Sequence, residues 1–180
     1  KGKISSSVDF EYFPFEVSNS SAFAINIIQE KSGIEDYDYW KIQKELSFLD
    51  VDEEVLYHPF SSLSGGEQVK ILLVSLFLKE NAFLLIDEPT NHLDIKARKI
   101  VSDYLKSKKG FILISHDRQF LDNCIDHILC INKANIEIQK GNFSSWYENK
   151  QKQDNFELSQ NEKLKKDISR LENSAKQSAE

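Results

Sequence analysis

Leu63-Ser64-Gly65-Gly66-Glu67 decides the reading of this chain, because three further motifs stand downstream of it in a telling order. The first two are Phe83-Leu84-Leu85-Ile86-Asp87-Glu88-Pro89 and Asn91-His92-Leu93-Asp94. A further apolar run, Gly110-Phe111-Ile112-Leu113-Ile114-Ser115, delivers His116-Asp117. Ser64, Gly65 and Gly66 precede an apolar-periodic segment, Val69 to Leu78. A helix start reads this way: a Ser N-cap, small residues, and Glu67 in the first turn. Backbone N–H groups exposed at such a terminus form a site for phosphate, and the glycines let it come close. Read alone, the stretch is better taken as an ordinary capped helix that binds nothing, and the downstream motifs reverse that reading.

Phe83 to Ile86 is short and wholly apolar, which suits a buried parallel strand. Carboxylates at the C-terminal end of such a strand sit where open α/β sheets bind ligands. Asp87 suits Mg²⁺ held through water, since Mg²⁺ keeps much of its hydration. Glu88 is placed to orient and polarise an attacking water. Pro89 keeps Glu88 out of helical geometry and enforces a turn. The bland alternative is a strand that ends in a solvated acidic turn. His116 also follows an apolar run, and an imidazole there suits contact with a γ-phosphate. A lone His after a strand is otherwise structural.

In this order and spacing, the four elements resemble the second half of an ATP-binding-cassette (ABC) nucleotide-binding domain. They match its signature loop, its Walker B strand with the catalytic Glu, its D-loop and its switch His. The resemblance spans roughly Lys3 to Asn142. It implies an α/β P-loop NTPase core with a helical subdomain and a C-terminal linker helix. It also implies ATP and Mg²⁺ as cofactors. Glu88 and His116 are then catalytic, Asp87 is the metal ligand through water, and Ser64, Gly65, Gly66, Glu67, Asn91 and Asp94 bind ATP. Asn91-His92-Leu93-Asp94 looks like the version found in ABC-F proteins, soluble twin-cassette ATPases that act on ribosomes. Gly141-Asn142-Phe143-Ser144, followed by a Lys-, Gln- and Glu-rich helix, resembles the junction where their first cassette enters the interdomain linker. Tyr12-Phe13-Pro14 and Pro59-Phe60-Ser61-Ser62-Leu63 resemble the antibiotic-resistance branch, which protects ribosomes. The implied partners are a second cassette and, through the linker, ribosomal RNA and P-site tRNA.

The chain departs from that pattern in places. No G-x-x-x-x-G-K-[ST] phosphate loop, the Walker A motif, occurs in its 180 residues. It opens on Lys1-Gly2-Lys3-Ile4, where the resemblance places an antiparallel subdomain. Phe15 stands where relatives carry the Q-loop Gln, which puts a metal contact there in doubt. These departures lead us to expect a fragment of the first cassette that does not turn over ATP by itself.

A net charge of −6 argues against a generic nucleic-acid-binding surface. No apolar stretch approaches the length of a membrane span, and no secretory signal is evident. Cys124 and Cys130 show neither metal spacing nor a disulfide framework, which fits a reduced cytoplasmic setting.

We expect residues 1–143 to form the partial nucleotide-binding domain. Within it, 1–17 read as strand, alternating through Val8, Phe10 and Tyr12. Residues 18–60 read as the helical subdomain, with Tyr39, Ile42, Leu46 and Leu49 on one helix face. Tyr37 and Trp40 are expected to pack in the core. Residues 61–143 form the core: the signature helix, the Phe83 strand, a helix over 95–107, strand 111–115, a helix led by Arg118, and a hairpin around Asn132-Lys133-Ala134-Asn135. Residues 144–180 read as the first arm of the linker. Leu164, Ile168, Leu171 and Ala175 form its short seam, which wants an antiparallel partner. Seven Lys/Arg against seven Asp/Glu from Glu148 onward give this arm the balance of a spacer.

Two functional classes stay open. One is part of an ATPase whose closure acts on the ribosome. The other is a catalytically inactive remnant or a non-enzymatic binding module. An ABC transporter ATPase subunit is a third reading, and the linker-like tail argues against it.

Overall fold

A computed structural model describes residues 6–132 and 135–177, with the side chains of the last helix described to residue 171. The chain divides into two compact units, 1–124 and 125–180. The opening Lys1-Gly2-Lys3-Ile4, Lys133-Ala134 of the hairpin turn and the Ala175 side chain of the seam lie outside the described residues.

The first unit is built on a parallel three-stranded sheet in the order β1 (Asp9–Phe13), β2 (Ala82–Asp87), β3 (Phe111–Ile114). Glu11 pairs with Leu84 and Ile86 with Leu113, so β2 is the middle strand of the three and is parallel to both neighbours, as expected of its apolar run. Partners in register share a face. Phe13, Leu84 and Ile86 point to the buried face and are at most 4% exposed. The opposite face, carrying Phe10, Tyr12, Ile112 and Ile114, is uncovered among the described residues. The strand expected over 1–17 is therefore shorter in the described part, and its Val8, Phe10 and Tyr12 alternation marks the open face. Glu11, on the closed face, is held by Lys31 and Lys79. Burial acts to raise its carboxyl, and the two ammonium groups outweigh this, leaving it below the usual range.

Between β1 and β2 lie α1 (Ala24–Ser32), α2 (Tyr39–Phe48) and α3 (Gly65–Phe77), with short 3-10 turns at Asp36–Asp38, Glu53–Tyr57 and Phe60–Ser62. α1 and α2 pack on α3. Ile42, Leu46 and Leu49 are fully buried, so the expected face of α2 is present. Full burial of such a side chain stabilises by about 1.5–3 kcal/mol. Tyr37 and Trp40 correct the expectation of core packing: they are 81% and 56% exposed. They fall at the Asp36–Asp38 turn and the first turn of α2, off the Ile42–Leu46 stripe. Tyr39 instead meets the Tyr57 hydroxyl at 3.3 Å.

α3 runs straight through the apolar core, with Ile71, Leu73, Val74 and Leu76 at 0% exposure. β2 is followed by α4 (Ile95–Lys106), then β3, then α5 (Arg118–Cys124). Glu45 of α2 accepts from the Tyr104 hydroxyl at 2.6 Å and from the Lys108 ammonium, which fastens α2 to the end of α4. Burial first, and then the Glu45 charge, push the Tyr104 hydroxyl well above its usual value.

The second unit holds the antiparallel pair β4 (His127–Ile131) and β5 (Ile136–Lys140), then α6 (Phe143–Gln177). Gly141 enters α6 at φ 131°, and a Cβ there would meet Ser145 Oγ at 2.6 Å, so only glycine fits the turn. Asn142 Oδ1 accepts from the Ser145 N–H at 3.0 Å, which caps the helix start. Phe143 packs on Trp146 and stacks on Tyr147 within the same turn. Leu164, Ile168 and Leu171 are all more than half exposed.

Candidate functional site at the ends of β2 and β3

β2 ends on Asp87, and the ladder runs one residue further, since the Glu88 N–H donates to Ile114 O at 2.8 Å. Glu88 then takes φ 46°, a left-handed value that is uncommon for a side chain of this size. Such strain concentrates at functional turns. The chain reverses through the Asn91 N–H to Glu88 O and the Leu93 N–H to Thr90 O, with His92 at φ 66°. Asp94 ends the loop by capping α4, its Oδ1 accepting from the Ala97 N–H at 2.7 Å.

The Glu88 carboxylate is the centre of the site. Its Oε2 accepts from Ser115 Oγ at 3.3 Å. Its Oε1 is buried and has no hydrogen-bond partner among the described residues. His116 Nε2 lies 3.5 Å from that oxygen, within reach of a charge contact but too far for a hydrogen bond. A buried acceptor left in this way is a site for an incoming donor. His116 itself is 98% exposed in its side chain. Asp117 supports the turn: its N–H donates to Ser115 Oγ at 3.2 Å, and its Oδ1 caps α5 through the Phe120 N–H at 3.0 Å. Glu88, Thr90, Asn91, Arg98, His116, Asp117, Arg118 and Gln119 line an open depression of about 750 Å³.

Asp87 is exposed at the strand end beside Glu88. Among the described residues, no three His, Cys, Asp or Glu side chains gather into a metal-holding group. A lone exposed carboxylate still fits Mg²⁺, which binds through one or two carboxylates plus waters and phosphates. Asp87 is the residue that would hold it, and the ion would supply charge for phosphate oxygens.

The signature-like loop is a separate cluster. Ser64 Oγ accepts from the Glu67 N–H at 3.3 Å and the Ser64 N–H donates to Glu67 Oε2 at 2.8 Å, a complete capping box. Hydrogen bonds from the Ser64 hydroxyl, then from its backbone N–H, hold the Glu67 carboxyl below its usual value of 4.5. Gln68 Nε2 donates to Phe60 O and Leu63 O, fixing the approach to the helix. Gly65 packs against His92, where a Cβ would come within 2.9 Å of His92 Cβ. Gly65 and Gly66 therefore lie against the loop after β2 at His92 and Leu93, and none of Ser64, Gly65, Gly66 and Glu67 is among the residues lining the depression. Asn91 lines it, and Asp94 serves as a cap. Phe15 lies under the Lys31 ammonium at 4.7 Å.

Sequence reasoning missed Thr90 and Arg98. Arg98 had a signal: it follows the Asp94 cap by one helical turn, so its side chain returns toward the loop.

Residues 8–91 match the family model described as ABC transporter. The chain is 33% identical over 138 residues to the uncharacterized ABC transporter ATP-binding protein YkpA of Bacillus subtilis, covering 74% of this chain and 26% of YkpA. It is 41% identical over 93 residues to the energy-dependent translational throttle protein EttA of Mycobacterium tuberculosis, covering 51% of this chain and 17% of EttA. The chain thus spans about a quarter or less of the length of these curated relatives. Among solved structures, it is similar to a metal-chelate type ABC transporter in an inward-facing conformation, with TM-score 0.61 at 23% identity over 78% of this chain and 62% of that one. It is also similar to the dimeric bacterial ABC transporter cassette MJ0796, with TM-score 0.59 at 17% identity over 74% of this chain and 62% of that one. The fold of this chain is that of an ABC ATPase cassette, the P-loop NTPase class.

Proposed function

We propose that this chain supplies one half of a composite ATPase site in a twin-cassette ABC-F protein that acts on the ribosome. The observation that carries the ATPase reading is the buried, unpartnered Glu88 Oε1, 3.5 Å from His116 Nε2 and beside the Asp87 strand end. Glu88 is the base that polarises water, Asp87 holds Mg²⁺ through water, and His116 senses the γ-phosphate. Asn91 and Asp94 border the nucleotide, and Ser64, Gly65, Gly66 and Glu67 present the signature N–H groups to ATP held by the second cassette. A segment bearing a G-K-[ST] loop must supply the remaining phosphate contacts.

The ribosomal role rests on the similarity to EttA, a translational throttle protein by name, and on the 35-residue helix α6 behind the Gly141 turn. Such a helix is about 52 Å long, and its Leu164, Ile168 and Leu171 seam stands ready for an antiparallel partner arm. Ribosomal protection against antibiotics is the branch of this role that the Tyr12-Phe13-Pro14 and Pro59-Phe60 segments favour. No described helix is long and apolar enough to cross a membrane.

The test is co-sedimentation with ribosomes of a full-length cassette protein carrying this chain. Changing Ile168 and Leu171 to Ser should reduce ATP-dependent ribosome association while ribosome-free ATPase activity stays near that of the unchanged protein. Intact association in that variant would remove α6 from the ribosomal role. ATP-dependent association that is absent even without substitution would remove the ribosome.

A further inference from the structure

The Arg98 side chain hydrogen-bonds to both loops of the depression. It stands on the first turn of α4. Its Nε donates to Leu93 O at 3.1 Å, inside the loop that follows β2. Its Nη1 donates to Asp117 Oδ2 at 3.1 Å, on the turn that follows β3. Asp117 in turn donates its N–H to Ser115 Oγ, and Ser115 Oγ donates to Glu88 Oε2. An unbroken hydrogen-bonded path therefore runs Leu93–Arg98–Asp117–Ser115–Glu88. His116 sits within it, between Ser115 and Asp117.

We propose that Arg98 is a positioning residue that couples the Asn91–Asp94 loop to the His116 turn, so that displacement of either loop re-aims Glu88 and His116 together. This rests on the reading of Glu88 as the water-polarising base.

Three features support a coupling role over simple stabilisation. Arg98 is 45% exposed and Asp117 21%, so the ion pair is partly screened and adds little to global stability. Both donors go to one-sided targets in different loops, which only a forked, planar guanidinium reaches at once; a Lys ammonium is a single point charge. Finally, Gly66 lies against Leu93, where a Cβ would meet Leu93 Cδ2 at 3.7 Å, so a movement of the signature segment meets this path at its first member.

The experiment uses a full-length cassette protein carrying this chain. Single-turnover ATP hydrolysis, ATP affinity and thermal midpoint are measured for Arg98→Ala, Arg98→Lys, Asp117→Asn and the double variant Arg98→Ala/Asp117→Asn. Asn at 117 keeps an N-cap for α5. The turnover rate should fall about tenfold or more in Arg98→Ala, as expected for a small misplacement of catalytic groups. Affinity and midpoint should hold, Lys should not restore the rate, and the double variant should be no slower than the slower single one. A wild-type rate in Arg98→Lys, strictly multiplicative losses in the double variant, or a loss confined to ATP affinity would each overturn the proposal.

Glu88→Gln, run alongside, separates the two readings. If it hydrolyses ATP at the unchanged rate, the role of Glu88 fails, and the coupling is then judged by amide hydrogen exchange. Arg98→Ala should speed exchange in both 90–94 and 115–121, and acceleration in only one of them, or in neither, would overturn it.

Discussion

Glu88 Oε1 and His116 Nε2 stand 3.5 Å apart, although one belongs to the end of β2 and the other to the end of β3. The parallel register Asp87–Ile114 brings these two strand ends level, and the Glu88 N–H bond to Ile114 O locks them. The pair is thus a product of strand pairing rather than of a flexible loop. The pair presents a carboxylate oxygen and an imidazole side by side on the depression.

Gly65 is where the signature segment meets the loop after β2. In Gly65→Ala the new methyl would lie 2.9 Å from His92 Cβ, so the backbone of one loop must give way. We expect a destabilisation of about 1–3 kcal/mol, read as a lowered urea midpoint of a full-length protein carrying this chain. Gly66→Ala, whose Cβ would meet Leu93 Cδ2 at an ordinary 3.7 Å, should cost much less. The double variant Gly65→Ala/His92→Gly should recover most of the loss. Equal midpoints for the two single variants would show that the contact is not close in solution.

Glu67 gives a pH signature. Its folded carboxyl is held below the unfolded value of 4.5, chiefly by the Ser64 hydroxyl. The unfolded state therefore binds the proton more tightly. The contribution is present above about pH 4.5 and is lost as pH falls through the depressed folded value. Ser64→Ala should lower stability at pH 7 by about 1 kcal/mol, a usual loss for an N-cap. Its acid limb below pH 4.5 should be shallower than that of the unchanged protein. Parallel acid limbs would contradict the capping-box account.

Helix starts and single-element faces were legible because they are local. Ser64 followed by two glycines and Glu67 encodes its own cap, and Ile42, Leu46 and Leu49 encode the buried side of α2 by spacing alone. The apolar run before Asp87 was enough to mark a buried parallel strand. Tyr37 and Trp40 were misread because aromatic character does not say which side of a helix meets the core. The left-handed backbone of Glu88, its orphaned Oε1 and the bridge from Arg98 to Asp117 join residues that are distant in sequence. No periodicity carries such links. The Glu11 pairing with Lys31 and Lys79 was hidden for the same reason.

The open face of the sheet predicts the behaviour of these 180 residues in isolation. Phe10, Tyr12, Ile112 and Ile114 are between 42% and 63% exposed on one side of a parallel sheet, whereas parallel sheets are as a rule covered on both sides. The isolated chain should self-associate or bind a hydrophobic dye strongly. Replacing Tyr12 and Ile114 by Lys should weaken both effects. A monomer that leaves the dye dark and melts in one sharp, reversible transition would show that the face is closed in solution.

The central claim is that Glu88 polarises the attacking water, and single-turnover hydrolysis by Glu88→Gln in a full-length protein carrying this chain tests it most directly. The second cassette's own carboxylate is to be silenced, so that only this site reports. Gln keeps the shape and the Ser115 contact but removes the charge. The account predicts a rate lower by about a hundredfold or more, with ATP affinity changed by less than about twofold. Hydrolysis at the unchanged rate would contradict it.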